Sequence, residues 1–408
     1  MTTDEWISPE GAWLRLAEHC SPLGPEKVDR RSTLGQVLAE SLAATVDIPP
    51  ADVSAMDGFA VSEEVAAGDR LPICGIIAAG SSPDCEIERG CAMRIMTGAP
   101  IPRGADRVVP VEQTTSTRDE VLFRSGTEAG SHIRRQAEIQ RRGDPLLPAG
   151  SMLTAGGLGL LATHGIASVP VHRRPRVAFL ATGDEVVPPD TEPLPGQLRD
   201  SHTDFLLAAC RSLGLELEPL GIAADRPQEL REKIGAGLEA DVLLIGGGVS
   251  KGEYDFVEGV LTKLGCELLF GAVAIQPGKP LVAAHHPGGL VFGLPGNPAS
   301  VMAGFFLFVR PTLRRLMGLQ DGFWHGALAG ELTAPLPAAK GRDRFLTAEV
   351  HFRDGHLLVA PMAPKGSHDL AAFARGTGLV RVRAHSPEAR PGQACEVLPL
   401  ANWLSTGG

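Results

Sequence analysis

The stretch Val242-Leu243-Leu244-Ile245-Gly246-Gly247-Gly248-Val249-Ser250-Lys251-Gly252-Glu253-Tyr254-Asp255 decides the fold. Its apolar start has the length of a short buried strand, and the glycines after it let the backbone turn sharply into a helix over 255–264. Upstream the same grammar repeats, with a strand over 177–181, a helix over 204–213, a strand over 215–220 and a helix over 227–238. Strands alternating with helices predict a mostly parallel sheet covered on both faces. Ser201 is placed to cap the first of these helices with Asp204 three residues on, and Leu230, Ile234 and Leu238 mark the buried face of the second. Ligands of such sheets sit beyond the carboxyl ends of the strands, which is where Thr182-Gly183-Asp184-Glu185 and the Gly246 loop fall.

Two more loops follow: Gln276-Pro277-Gly278-Lys279-Pro280, and Leu294-Pro295-Gly296-Asn297-Pro298-Ala299-Ser300. Glycines allow backbone N–H groups close to a ligand, and Lys251 and Lys279 add full charges, so the three loops together suggest a site for a phosphate or another oxyanion. Asp57, Glu185, Asp225 and Asp255 each stand beside a glycine, a turn or a strand end, where carboxylates can converge on a hard cation such as magnesium. Taken singly, each also reads as a turn former or helix cap. The glycine loop matches neither the P-loop nor the dinucleotide pattern, and Pro295 to Pro298 also reads as a turn ending in the first proline of a helix. Ser300 and Ser367 lack a neighbouring His and acid arrangement, G-x-S-x-G is absent, and His285-His286 lack metal-ligand spacing and read as loop residues.

At 408 residues the chain calls for two to four domains, and its ordinary apolar and charged content supports a folded core in each. Trp13, Leu16, Ala17 and Cys20 recur at helical spacing, and Ser32 is placed to cap a second helix containing Val37 and Leu38. Residues 46–138 read as short β runs broken by Gly and Pro, 153–166 as a helix despite Gly156, Gly157 and Gly159, and 356–360, 378–383 and 395–398 as strands of a small all-β end. The apolar segment 299–309, bounded by Arg310-Pro311, is a buried helix rather than a membrane span, which needs about 20 residues. A net charge of -10 argues against nucleic-acid binding. Seven scattered cysteines without C-x-x-C indicate neither a disulfide framework nor a zinc site, and fit buried free thiols in a reducing cytosol. The start, Met1 to Trp6, lacks the profile of a secretory signal.

Taken together, Ser54-Ala55-Met56-Asp57-Gly58-Phe59-Ala60, the run from Met96-Thr97-Gly98-Ala99-Pro100 to Asp106, Thr182 to Glu185, Gly247 to Asp255, Pro277 to Pro280 and Pro295 to Ser300 resemble the molybdopterin molybdenumtransferase family, nearly end to end. The resemblance implies a multidomain α/β and β protein, elongated and homodimeric. Residues 1–46 plus 141–174 would form a small helical linking and dimerisation domain, and 47–140 an inserted β-rich domain. Residues 175–320 would form a three-layer α/β domain that binds molybdopterin, and 321–408 a C-terminal domain resembling a β-barrel. It also implies magnesium-dependent transfer of molybdate to adenylylated molybdopterin with release of AMP, in the cytoplasm and away from membranes. A molybdopterin adenylyltransferase and apo-molybdoenzymes would be its partners.

Residue by residue, the resemblance assigns metal and catalysis to Glu185, Asp225 and Asp255, and the pterin phosphate to Gly247, Gly248 and Ser250. Molybdate falls to Lys279, Ser300 and Ser367, with Pro280, Pro295 and Asn297 among the substrate contacts, while Asp57 and Thr97 would act from across the dimer. The chain departs from the common pattern at Gln276, where many members have Lys, at Thr347, where they have Arg, and at Ala137 and Glu138, which stand for Gly-x-Asp. These losses of cationic contacts motivate an alternative, a non-catalytic carrier or scaffold that binds pterin.

Overall fold

The computed structural model describes residues 6–82, 84–248, 257–362, 366 and 368–400. Contacts gather the chain into two units, one of residues 1–27, 35–39 and 170–408, the other of 28–34 and 40–169. The larger unit opens with helix α1 (Pro9–Ala17), where Ser8 accepts from the Gly11 N–H and proline occupies the first turn. Its Ala12, Trp13 and Leu16 are buried, as their spacing predicts. The second helix expected around Val37 and Leu38 is absent: Asp29 caps a single 3-10 turn, Arg30–Ser32, and Leu38 makes an antiparallel bridge to Val171. Gly35, at φ 77°, turns the chain out of helical geometry between the two.

The smaller unit holds a curled six-stranded sheet of β1 (Gly58–Val61), β2 (Arg70–Ile77), β3 (Ala92–Ile95), β4 (Arg107–Pro110), β5 (Thr114–Ser116) and β6 (Glu120–Phe123), in the order β4-β1-β3-β2-β6-β5. Gly58 is required here, because a Cβ on it would lie 2.1 Å from the Val109 carbonyl oxygen across the β1–β4 pair. Helix α2 (Ala155–Thr163) follows, capped by Thr154, so the glycines in that segment do not prevent a helix. One expectation about cysteine fails: Cys74 and Cys91 form a disulfide, their Cα atoms 6.0 Å apart. Parallel pairing of β2 with β3 sets Ile73 beside Ala92 and so brings the two thiols together, an adjacency that cysteine spacing does not encode.

The larger unit continues with β7 (Val177–Thr182), α3 (His202–Ser212), β8 (Leu217–Ala223), α4 (Pro227–Gly237), β9 (Val242–Gly246), α5 (Val257–Lys263), β10 (Glu267–Phe270), β11 (Ile275–Gln276), β12 (Val282–His286) and β13 (Gly289–Leu294). The α/β sheet runs β8-β7-β9-β13-β12-β10, its first four strands parallel and β12 and β10 antiparallel. His285 and His286 thus lie in a strand rather than a loop. Side chains alternate between two cores: Val177, Phe179, Val242 and Leu244 face the layer containing α1 and α3, whereas Ala178, Leu180, Leu243 and Ile245 face α4 and α5. That double burial is why the strands read as unbroken apolar runs. Helix α3 is capped by Asp200, which accepts from the His202 and Thr203 N–H groups, whereas Ser201, at the N-cap position, makes no side-chain capping bond.

After β13 come α6 (Pro298–Gly304), a π turn over Phe305–Val309 and α7 (Arg310–Leu316). The helical run therefore continues past Pro311 instead of ending there, and the residue without an N–H stands where π winding gives way to α winding. The chain closes with β14 (Leu328–Leu332), β15 (Asp343–Arg353), β16 (His356–Pro361), α8 (Leu370–Arg375), β17 (Gly378–Val382) and β18 (Ala394–Pro399). Order β15-β16-β14-β18-β17, with β17 pairing back onto β15, makes a closed five-stranded barrel, and β11 adds to it beside β15. Closure removes unpaired edges and fills the interior with Leu346, Ala348, Val350, Val359, Val380 and Val397.

Candidate active site

Beyond the carboxyl ends of β8, β7, β9 and β13 the parallel sheet presents four loops side by side. Strand order reverses direction at β7, with β8 on one side and β9 on the other, which opens a crevice at this end. Gly247 follows β9 at φ 104°, and a Cβ there would lie 2.6 Å from the Thr182 carbonyl oxygen and 2.7 Å from its hydroxyl. Only glycine lets the β9 turn lie that close to the end of β7. The turn is fixed by the Gly247 N–H donating to the Leu294 carbonyl at 2.9 Å and by the Thr182 hydroxyl donating to the Gly246 carbonyl at 3.3 Å. Gly248 follows at φ 64°.

Asp184 and Glu185 are exposed at the end of β7, and the Asp225 N–H, past the end of β8, donates to Asp184 at 3.3 Å. The Glu185 carboxylate folds back over Gly183, which again leaves no room for a Cβ. Two carboxylates on neighbouring strand ends are an all-oxygen donor set. Among the described residues no group of three His, Cys, Asp or Glu is close enough to hold a metal by itself. Carboxylate oxygens are the donors that a hard cation such as magnesium takes. Ser250, Asp255 and Ser367, with Lys251 and Lys365, lie outside the described residues. His202 stands behind the turn, its imidazole pushed below its ordinary range by burial, against the opposing effects of Asp200 and a backbone bond to Gly296.

A cavity of about 530 Å³ lies where the loops after β11 and β13 meet the barrel. Lys279, Pro280, Pro295, Asn297 and Ser300 all line it, which brings the lysine loop and the Pro295 loop together. Ser300 is buried in the first turn of α6, its N–H donating to the Asn297 carbonyl at 2.9 Å, and Gly278 at φ 95° lets the lysine loop pass over it. The Lys279 carbonyl accepts from both the Val273 and Leu281 N–H groups, which pins the loop from below. From the barrel come Arg342, Arg344 and Thr347, and from β11 Gln276. Among the described residues no carboxylate lines the cavity, which gathers three cations and several neutral donors. Trp6 was not picked out by its sequence context, yet its ring lies 4.7 Å from the Lys279 ammonium and 5.3 Å from the Arg342 guanidinium. Hydrogen bonds between Ile7 and both Ala272 and Ala274 fix its position, a long-range pairing with no local signature.

In the other unit, Asp57 precedes β1 and takes two bonds on one oxygen, from the Thr97 N–H at 2.6 Å and its hydroxyl at 2.8 Å. The backbone bond, then the hydroxyl, holds this exposed carboxyl below its ordinary range. The two motifs are also knitted by the Ser54 N–H to Ala99 and the Gly98 N–H to Ser54, so Asp57 and Thr97 form one rigid pair. Ala137, at a departure from the common pattern, has φ 58°, and Glu138 accepts from the Arg135 N–H.

Comparison with known proteins matches the same regions. Residues 7–165 fit the model of the MoeA N-terminal region (domains I and II), 178–315 that of a probable molybdopterin binding domain and 329–400 that of the MoeA C-terminal region (domain IV). The chain is 34% identical over 399 residues to molybdopterin molybdenumtransferase 2 of Mycobacterium tuberculosis, covering 94% of this chain and 97% of that one. It is 36% identical over 340 residues to the molybdopterin molybdenumtransferase of a Nostoc species, covering 81% and 78%. The solved molybdopterin biosynthesis MoeA protein of Pyrococcus horikoshii superposes with a TM-score of 0.84 at 30% identity, over 98% of this chain and all of that one. Sequence motifs, fold and relatives agree: the chain belongs to the molybdopterin molybdenumtransferase family.

Proposed function

We propose that this protein transfers molybdenum from molybdate to adenylylated molybdopterin, releasing AMP, as a step of molybdenum cofactor biosynthesis. The observation that carries the reading is the cavity lined by Lys279, Arg342 and Arg344, joined through Leu294, Pro295 and Asn297 to the glycine turn at Gly247. One part suits a small dianion and the other a phosphate, and both substrates are anions. Lys279 and Ser300 hold the oxyanion and the backbone of Gly247 and Gly248 receives the pterin phosphate, to which the family resemblance adds Ser367 and Ser250 respectively. Glu185 and Asp225, with Asp255, would hold magnesium, which when bound offsets charge on the phosphate and on the departing AMP. Asp57, oriented by Thr97, acts from a second copy of the chain in a homodimer. The proposed setting is the cytoplasm, with a molybdopterin adenylyltransferase supplying substrate and apo-molybdoenzymes receiving product. Among the described residues no helix is long and apolar enough to cross a membrane.

The test is to incubate purified protein with adenylylated molybdopterin, molybdate and magnesium, following AMP release and activation of an apo-molybdoenzyme. Pterin binding with no AMP release sinks the proposal. That result favours a pterin carrier, the second reading, which the neutral side chains at Gln276 and Thr347 motivate.

A further inference from the structure

We propose that Arg344 is a ligand of the oxyanion in the cavity, a role that rests on reading that cavity as the molybdate site. Arg344 enters it from the start of β15, where parallel pairing with β11 sets it directly beside Gln276. Its Nη1 donates to the Ala338 carbonyl at 3.0 Å, which anchors one corner of the guanidinium. Its Nε is shielded from solvent and donates to nothing, and Nη2 makes no bond either among the described residues. The guanidinium must turn about its Nη1 anchor to bring Nε to an oxyanion in the cavity, after which the Nε–Nη2 edge takes two oxygens side by side. A buried guanidinium N–H without an acceptor is costly, and that cost is removed once an anion fills the fork.

The surroundings give the charge no other use. The next residue back, Asp343, is taken up by Arg381 and by the Ala384 N–H, and Arg381 is further occupied by Glu10. Arg344 itself has no ion-pair partner among the described residues. Lys279 and Arg342 lie against the Trp6 ring, and with Arg344 they line one cavity together with Gln276, Asn297, Ser300 and Thr347. A tetrahedral dianion answers that arrangement. Thr347 lies on the same strand and offers only a hydroxyl, so the bidentate contact on β15 belongs to Arg344.

The experiment is calorimetric titration of the full-length protein with sodium molybdate and, separately, sodium tungstate, comparing parent, Arg344→Gln and Arg344→Lys. Loss of a charge-assisted bidentate contact should weaken molybdate binding by about tenfold or more in Arg344→Gln, with Arg344→Lys intermediate because it restores charge but not the fork. With molybdate varied in the AMP-release assay, Arg344→Gln should raise KM and leave kcat near the parent value. Equal affinity in parent and Arg344→Gln overturns the role of Arg344 and leaves the cavity reading standing. Failure of the parent to bind either oxyanion overturns the cavity reading and the role together. Should circular dichroism find Arg344→Gln unfolded, Arg344→Lys decides: parental affinity overturns the role, and a several-fold loss supports it.

Discussion

Gly247 and Gly296 both occupy loops at the carboxyl end of the parallel sheet, and the geometry predicts opposite outcomes when each becomes alanine. At Gly247 the backbone has φ 104°, and the new Cβ would meet the Thr182 carbonyl oxygen at 2.6 Å and its hydroxyl at 2.7 Å. Holding an L-residue in such a conformation costs about 1–3 kcal/mol. Forcing the ends of β7 and β9 apart adds about 1–3 kcal/mol of overpacking. Restricting the unfolded chain returns only about 0.4–1 kcal/mol. The net loss for Gly247→Ala is about 3 kcal/mol, together with weakened pterin binding as the turn shifts. Gly296 keeps an ordinary φ, and a Cβ there meets nothing within 4 Å, so Gly296→Ala should change stability by no more than about 0.5 kcal/mol. Urea unfolding followed by far-UV circular dichroism, with pterin binding measured in parallel, reads both. The reasoning is refuted if Gly247→Ala matches the parent, or if Gly296→Ala costs as much as Gly247→Ala.

Other outcomes follow from the same coordinates. Asp241, almost wholly buried before β9, receives two bonds of 2.7 Å from the Arg173 guanidinium and one of 2.7 Å from the Arg176 N–H, so Asp241→Asn should lose about 3 kcal/mol in the same unfolding measurement. Burial alone would raise its carboxyl, but Arg173 and the Arg176 N–H together pull it below its ordinary value. Its contribution is therefore complete above about pH 3.9 and lost as pH falls through the lower folded value, an acid-side slope that Asp241→Asn should reduce. Gly58→Ala should leave the β-rich unit unfolded, since its Cβ would collide with the Val109 carbonyl at 2.1 Å; a native amide spectrum for residues of β1 and β4 would contradict this. Asp57→Asn should cut AMP release at least about tenfold while leaving thermal unfolding unchanged, because the carboxylate is exposed and bonded only to Thr97. Ala137→Gly should be neutral or stabilising by up to about 1 kcal/mol, as it relieves φ 58°, and a clear loss of stability would count against backbone strain there.

What the sequence made legible was whatever depends on short-range order. Strands β7 and β9 are apolar throughout because both faces are buried, and the glycines after them mark turns whose close contacts exclude a Cβ. The cap of α3 was displaced by one residue because Asp200 and Ser201 are both competent acceptors and only the entry angle of the chain chooses between them. Val37 and Leu38 have helical spacing, but pairing with Val171 outweighs local propensity. The cavity was half legible. Lys279, Asn297 and Ser300 belong to compact motifs, whereas Trp6 comes beside Lys279 and Arg342 through pairings of Ile7 with Ala272 and Ala274, and the register of β11 on β15 sets Gln276 beside Arg344. Those registers are properties of the assembled sheet and barrel. The Cys74–Cys91 bond was hidden for the same reason.

The π turn over Phe305–Val309 holds one residue more than the α winding on either side of it, and absorbs that residue locally. A regular α-helix advances about 100° per residue, whereas the wider π turn advances less, so α6 and α7 stay nearly in phase across it. Ser300 in α6 and Leu313 and Leu316 in α7 are buried on that phasing, and Arg314 meets Asp321 at 2.5 Å. Tightening the five residues to α winding without changing the length would turn everything after them by most of that angle relative to Ser300. Leu313 and Leu316 would swing out of the core and Arg314 would leave Asp321, with every named ligand still in place.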